Sequence, residues 1–317
     1  MADAPQTAQP CVDTMIALPP PQYHVWKTYP CAYTHYPALG DQDTPPLLLI
    51  HPIGVGLAGW FWHRFAQAMA STGTSPDLYV PDLLGCGHSS KPKVAYYAED
   101  WADQVAHFLA QVVQRPVVLV VQGGCLPIGL WLMAHPKAQG LIQSLVLSGP
   151  PGMKLMTTPT SPRRQTLLWN LLFSGPVGSG FFRYARREAF LASFSRRQLF
   201  AEEQDIDREW LDQLQQDAQD AGGRHAVYSF LAGFWRQDYT ALMAAIPVPT
   251  LVIFGDAASG INRLSRTDPP QQRLEDYLRQ IPTAAGRMIP GRNVLPYEST
   301  TAFMEIVRDW LRGELPT

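Results

Sequence analysis

One cysteine stands where nucleophilic chemistry is easiest to build. In Gln122-Gly123-Gly124-Cys125-Leu126-Pro127-Ile128-Gly129 it follows five apolar residues, 117–121, and opens a stretch of helical character. A helix N-terminus lowers a thiol's pKa, and the thiolate is a strong nucleophile. Such a nucleophile needs an imidazole to carry its proton and a group to orient that imidazole. The eight histidines are His24, His35, His51, His63, His88, His107, His135 and His225. Two later glycine-led turns hold the other positions of interest. Gly255-Asp256-Ala257-Ala258 offers one carboxylate, and Gly291-Arg292-Asn293-Val294-Leu295-Pro296-Tyr297-Glu298 offers no imidazole. Without a base, a buried cysteine is a small hydrophobe. The first turn also reads with Gly124 at its apex, which relieves backbone strain but leaves no nucleophile. Both registers stand.

The elements that would position these turns are legible. Residues 47–50, 78–81, 117–121, 145–147 and 250–254 are short apolar runs bounded by Gly or Pro, as expected of strands buried on both faces of a parallel sheet. Residues 61–70 and 101–113 have helical spacing, and 23–36 alternates as an opening hairpin. Strands alternating with helices predict an α/β architecture. Between the strands ending near Ser148 and Phe254, residues 156–235 are helical in character and are expected to be an inserted cap, with the core at 23–155 and 236–317. The first half of the cap interleaves Arg163, Arg164, Arg183, Arg186, Arg187, Arg196 and Arg197 with aromatics, and an acidic stretch, 202–220, follows.

Composition bounds the function. A formal charge of -2 in 317 residues gives no reason to expect nucleic acid. Cys11, Cys31, Cys86 and Cys125 lack metal-ligand or disulfide-framework spacing, so no metal or cofactor is expected and the thiols read as free. Residues 1–22, without Lys or Arg and ending in prolines, read as a flexible leader rather than a targeting peptide, so a cytoplasmic location is expected.

Three segments together resemble the α/β-hydrolase family. Pro81-Asp82-Leu83-Leu84-Gly85-Cys86-Gly87-His88-Ser89-Ser90-Lys91-Pro92 is similar to a turn of haloalkane dehalogenases and related capped hydrolases. Leu49-Ile50-His51-Pro52 resembles the strand end before the oxyanion loop, and 291–298 resembles the loop Gly-x-x-His-x-Pro-x-Glu. The resemblance covers roughly residues 45–313, and in detail the chain is similar to cyanobacterial α/β-hydrolase-like proteins. It implies an α/β-hydrolase fold, a mostly parallel central sheet flanked by helices with a helical cap inserted. It further implies a nucleophile elbow at Cys125, an acid position at Ala258 and a histidine position at Val294. The oxyanion hole would come from the backbone N–H groups of Ile53 and Leu126, and His51, Gly124 and Val294 would wall the pocket. Dehalogenase chemistry is not implied, because it needs an aspartate at the elbow and a histidine opposite.

An isopropyl group at position 294 and a methyl at 258 cannot transfer or orient a proton. The expectation is therefore a family member with a degenerate triad that binds an apolar small molecule or a partner beneath its cap. The alternative is an atypical, esterase-like hydrolase using Cys125 and the oxyanion hole. A third route is a peripheral membrane or protein partner engaged through Arg183, Arg186 and Arg187, set against a lid whose arginines pair with the acidic stretch after it.

Overall fold

Eight strands form one sheet in the computed structural model, which describes residues 18–40, 43–173, 175–260 and 268–315. The expected leader thus lies mostly outside the described residues, and the first strand opens at Gln22. The strands are β1 (Gln22–Trp26), β2 (Tyr29–Tyr36), β3 (Leu47–Ile50), β4 (Leu78–Pro81), β5 (Val117–Gln122), β6 (Ile142–Ser148), β7 (Thr250–Gly255) and β8 (Ala284–Ile289). Their order is β1-β2-β4-β3-β5-β6-β7-β8. β1 with β2 and β2 with β4 run antiparallel, and every later pairing is parallel.

Alternation along the strands divides the core into two layers. Leu119, Val121, Leu145, Leu147, Val252 and Phe254 face the helices Ala98–Phe108, Leu126–Met133 and Pro270–Gln280. Val118, Val120, Val146, Leu251 and Ile253 face His63–Ser71 and Thr300–Leu311. Every residue of β5 is buried, and each such aliphatic side chain contributes roughly 1.5–3 kcal/mol of transfer free energy. That centrality makes the C-terminal end of β5 a fixed platform.

Two helices differ at their ends from the spacing-based expectation. The one expected at 61–70 begins as a 3₁₀ turn, Gly59–Trp62, before the α-helix His63–Ser71. The one expected at 101–113 starts at Ala98, where Glu99 and Asp100 suit the positive end of the helix, and closes in a π turn, Leu109–Val113. Between β6 and β7 the chain runs through helices and turns, including Pro162–Leu168, Pro176–Ala185, Glu188–Phe194, Arg208–Asp217 and Arg224–Ala232. Among the described residues, Cys31, Cys86 and Cys125 are buried free thiols, whereas Cys11 lies outside them. No described helix is long and apolar enough to cross a membrane.

Candidate functional site

The turn after β5 has one residue in the left-handed region, Gly123, at φ +56°. Cys125 has φ -84° and ψ 1°, ordinary for the entry to a helix. The left-handed residue of this turn is therefore Gly123, rather than the expected Cys125 or Gly124. A backbone that must turn sharply between strand and helix puts its left-handed residue where no Cβ opposes it. A Cβ built on Gly123 meets nothing nearer than the Gly149 carbonyl oxygen at 3.9 Å, so the space there is open. A Cβ on Gly124 would lie 2.3 Å from Cζ of Phe230, whose ring belongs to the Arg224–Ala232 helix. Phe230 in turn stacks on Trp235 with ring centroids 5.0 Å apart. Gly124 does border the turn, but an aromatic ring lies against it.

Cys125 is buried, and its thiol donates to the His51 main-chain carbonyl at 3.2 Å. Burial pushes its pKa up to about 12, only partly offset by a hydrogen bond from the Ile53 main chain. The thiol ties the start of the Leu126–Met133 helix to the loop after β3. The expected oxyanion donors are consequently engaged: Ile53 with the sulfur, and Leu126 N–H with the Gly123 carbonyl.

His51 is wholly buried and lines no open space. Its Nε2 accepts from Leu83 N–H at 3.0 Å, and its Nδ1 lies 2.9 Å from the Pro52 carbonyl. Those partners fix a neutral ring protonated on Nδ1, and burial lowers its pKa. The ring joins the loops after β3 and β4 rather than walling a pocket. His225 is also buried, with its pKa lowered by burial, and packs 6.2 Å from the Trp169 ring.

The loops after β7 and β8 are held together by their main chains. Ala257 N–H donates to the Gly291 carbonyl at 3.0 Å and Asp256 N–H to Ile289 at 2.9 Å. The exposed Asp256 carboxylate accepts from Gly291 N–H at 3.1 Å, so it holds the loop after β8. Ala258 is buried against the layer containing Cys125, and Val294 is buried in the other, with Leu199, Phe200 and Trp210. Asn293 anchors the second loop: its Nδ2 donates to Gln198 and Ser259 carbonyls at 2.6 and 2.9 Å, and its own carbonyl accepts from Gln122 Nε2 at 2.7 Å. Glu298 closes the loop from below, accepting from the N–H groups of Arg292 and Ala201. The turns bearing Gly123, Ala258 and Val294 thus meet at one end of the sheet.

Sequence reasoning missed Gly123 and Phe230. The glycine pair itself signals a left-handed residue without saying which glycine takes it, and nothing local marks Phe230 as a neighbour of Gly124.

A profile described as the alpha/beta hydrolase family aligns with residues 47–306. The chain belongs to the α/β-hydrolase family. Over 116 residues this α/β-hydrolase-family chain is 31% identical to the 2-hydroxymuconate semialdehyde hydrolase of Pseudomonas sp. (strain CF600), covering 36% of the chain. It spans 39% of that relative's length, about two fifths. In structure it is similar to an esterase from Thermogutta terrifontis, with a TM-score of 0.66, 21% identity and coverage of 90% and 94% of the two chains. A bromoperoxidase from Bacillus anthracis superposes at TM-score 0.66 with 19% identity and coverage of 89% and 96%. At such identities the likeness shows the α/β-hydrolase fold alone.

Proposed function

We propose that this chain is a catalytically degenerate α/β-hydrolase that works by binding rather than by ester hydrolysis. In this fold the nucleophile occupies the strained apex of the strand-to-helix turn. The observation that carries the reading is a glycine at that apex, Gly123, which supplies no side chain to attack a carbonyl. Ala258 and Val294 at the acid and histidine positions are consistent with it, since neither can move a proton. The alternative, hydrolysis through Cys125, loses support because that thiol is buried, points at the His51 carbonyl and is pushed up to about 12.

The same packing bears on what is bound. With Phe230 against Gly124 and Val294 among Leu199, Phe200 and Trp210, the region between sheet and cap reads as core more than as a receptacle for an apolar ligand. We therefore place the binding function on the outer face of the cap, 156–235. Initial rates with p-nitrophenyl butyrate and an acyl thioester test the central reading. The rate should equal that of buffer alone. Turnover that disappears in Cys125→Ala, or after fluorophosphonate treatment, would end it.

A further inference from the structure

The helix Pro176–Ala185 is amphipathic in an unusual sense: its outer stripe is apolar. Gly178, Phe182 and Ala185 face inward, where the Tyr228 hydroxyl donates to the Gly178 carbonyl at 2.6 Å. Val177, Phe181 and Tyr184 recur at helical spacing on the adjoining stripe and are 61%, 44% and 51% exposed. The preceding helical stretch does the same. Phe173 stacks on Tyr228 with centroids 4.6 Å apart, while Leu167 and Leu171 are 57% and 64% exposed. Both stretches thus pack on Tyr228, which the Phe181 ring also approaches to 6.3 Å, and both leave large apolar side chains exposed. A shallow groove of about 530 Å³ runs along the first, lined by Pro162, Arg163, Thr166, Leu167, Asn170 and Leu171. Scattered single hydrophobics on a surface are ordinary, but two helical stripes of large ones mark an interaction face.

Charge selects the occupant. Residues 150–187 contain no Asp or Glu. Arg163, Arg164 and Arg183 are exposed, and none forms an ion pair among the described residues. Arg186 differs, because its guanidinium donates to the Gln219 carbonyl at 3.1 Å and is part of the fold. Arg187 lies over the Tyr184 ring, 5.7 Å from its centroid. Elsewhere in the cap arginine does pair with acid, as Arg196 does with Glu203 at 3.2 Å. Unpaired guanidinium groups flanking exposed Leu, Phe and Tyr suit an interface that is anionic outside and apolar just beneath.

We infer that the face formed by Leu167, Leu171, Val177, Phe181 and Tyr184, rimmed by Arg163, Arg164 and Arg183, docks the protein on an anionic lipid surface. The inference deepens the outer-face reading above and does not depend on whether the chain hydrolyses esters, so the ester assay and the lipid assay can fail separately. Each arginine near an anionic surface strengthens binding about fivefold. The full-length protein is sedimented with vesicles of equal phosphatidylglycerol and phosphatidylcholine, and with phosphatidylcholine alone. Binding is expected to the anionic vesicles only, falling as salt screens the arginines. Arg163→Glu/Arg164→Glu/Arg183→Glu should weaken it by roughly a hundredfold or more, and Phe181→Asp should also reduce it. Arg312→Glu, on another surface, should leave it intact, and circular dichroism should confirm that all variants are folded. Equal partition onto both vesicle types, or anionic binding untouched by the triple reversal, overturns the inference. So does the absence of binding together with self-association that Phe181→Asp abolishes, which would assign the face to a second copy of the chain.

Discussion

The Gln122 side chain, at the end of β5, donates to the Asn293 carbonyl of the loop after β8 at 2.7 Å. One partly buried hydrogen bond thus couples the end of β5 to the residue before Val294. Removing the donor leaves a partly buried carbonyl without its partner, which costs about 1 kcal/mol. Gln122→Leu is expected to lower the urea midpoint by that amount with an unchanged m-value, showing that the loop is braced from the central strand.

Cys125 behaves as a structural thiol in this account. With its pKa near 12 instead of the ordinary 9.0, its thiolate population at neutral pH is about three orders of magnitude below that of an exposed cysteine. Iodoacetamide followed by peptide mass spectrometry should leave Cys125 unmodified in the native protein and alkylate it in urea. Rapid native alkylation at Cys125 would revive the hydrolase reading.

Gly124 and Phe230 should be energetically coupled. A methyl group at 124 would collide with the Phe230 ring, and such overpacking typically costs about 1–3 kcal/mol. In a double-mutant cycle of Gly124→Ala and Phe230→Ala, the double variant should be more stable than the sum of the singles predicts, by about 1–2 kcal/mol. Additivity would mean that the ring does not occupy the space over the turn.

Acid should destabilise the protein partly through His24. Burial first, and the neighbouring His107 second, lower its pKa from 6.5 to about 4. The unfolded chain takes up the proton below pH 6.5, whereas the folded chain resists until about pH 4. The unfolded state therefore binds more protons in that window, and stability falls as pH falls through it. His51, His63 and His225 act in the same direction, while the raised His88 and Asp217, the latter at about 6, oppose. His24→Phe should make urea midpoints at neutral pH and midway through the window differ less than in the parent protein.

The inner strands β3 to β7 are readable because they are aliphatic runs between Gly and Pro, a pattern that burial on both faces leaves little room to vary, whereas β8, Ala284–Ile289, carries Gly286 and Arg287 and only two buried residues, and shows no such run. The loops that carry Ala258 and Val294 are readable as turns because Gly255, Gly291, Pro296 and Glu298 shape them. The left-handed residue of the turn after β5 lies two residues before one expected position, Cys125, and one before the other, Gly124. Cys125 drew the apex toward itself as the nearest nucleophilic side chain, although a left-handed backbone selects for glycine whatever the chemistry. Contacts distant in sequence, such as Phe230 on Gly124 and the Cys125 thiol on the His51 carbonyl, leave no local trace. The three-residue basic set proposed from sequence also divides by contact: Arg186 donates to the Gln219 carbonyl, whereas the exposed Arg183 forms no ion pair among the described residues.

Restoring the three side chains tests the account most directly. The variant Gly123→Ser/Ala258→Asp/Val294→His places a hydroxyl, a carboxylate and an imidazole on the three turns, with Phe230→Ala to uncover Gly124. The left-handed serine costs about 1–2 kcal/mol, so folding is checked first by thermal denaturation. The prediction is p-nitrophenyl butyrate hydrolysis at least tenfold above the parent protein, lost when Gly123→Ser is left out of the set. A folded variant that stays at the parent's rate, or a parent that already hydrolyses the ester as fast, would contradict the assignment of Gly123, Ala258 and Val294 as the emptied catalytic positions.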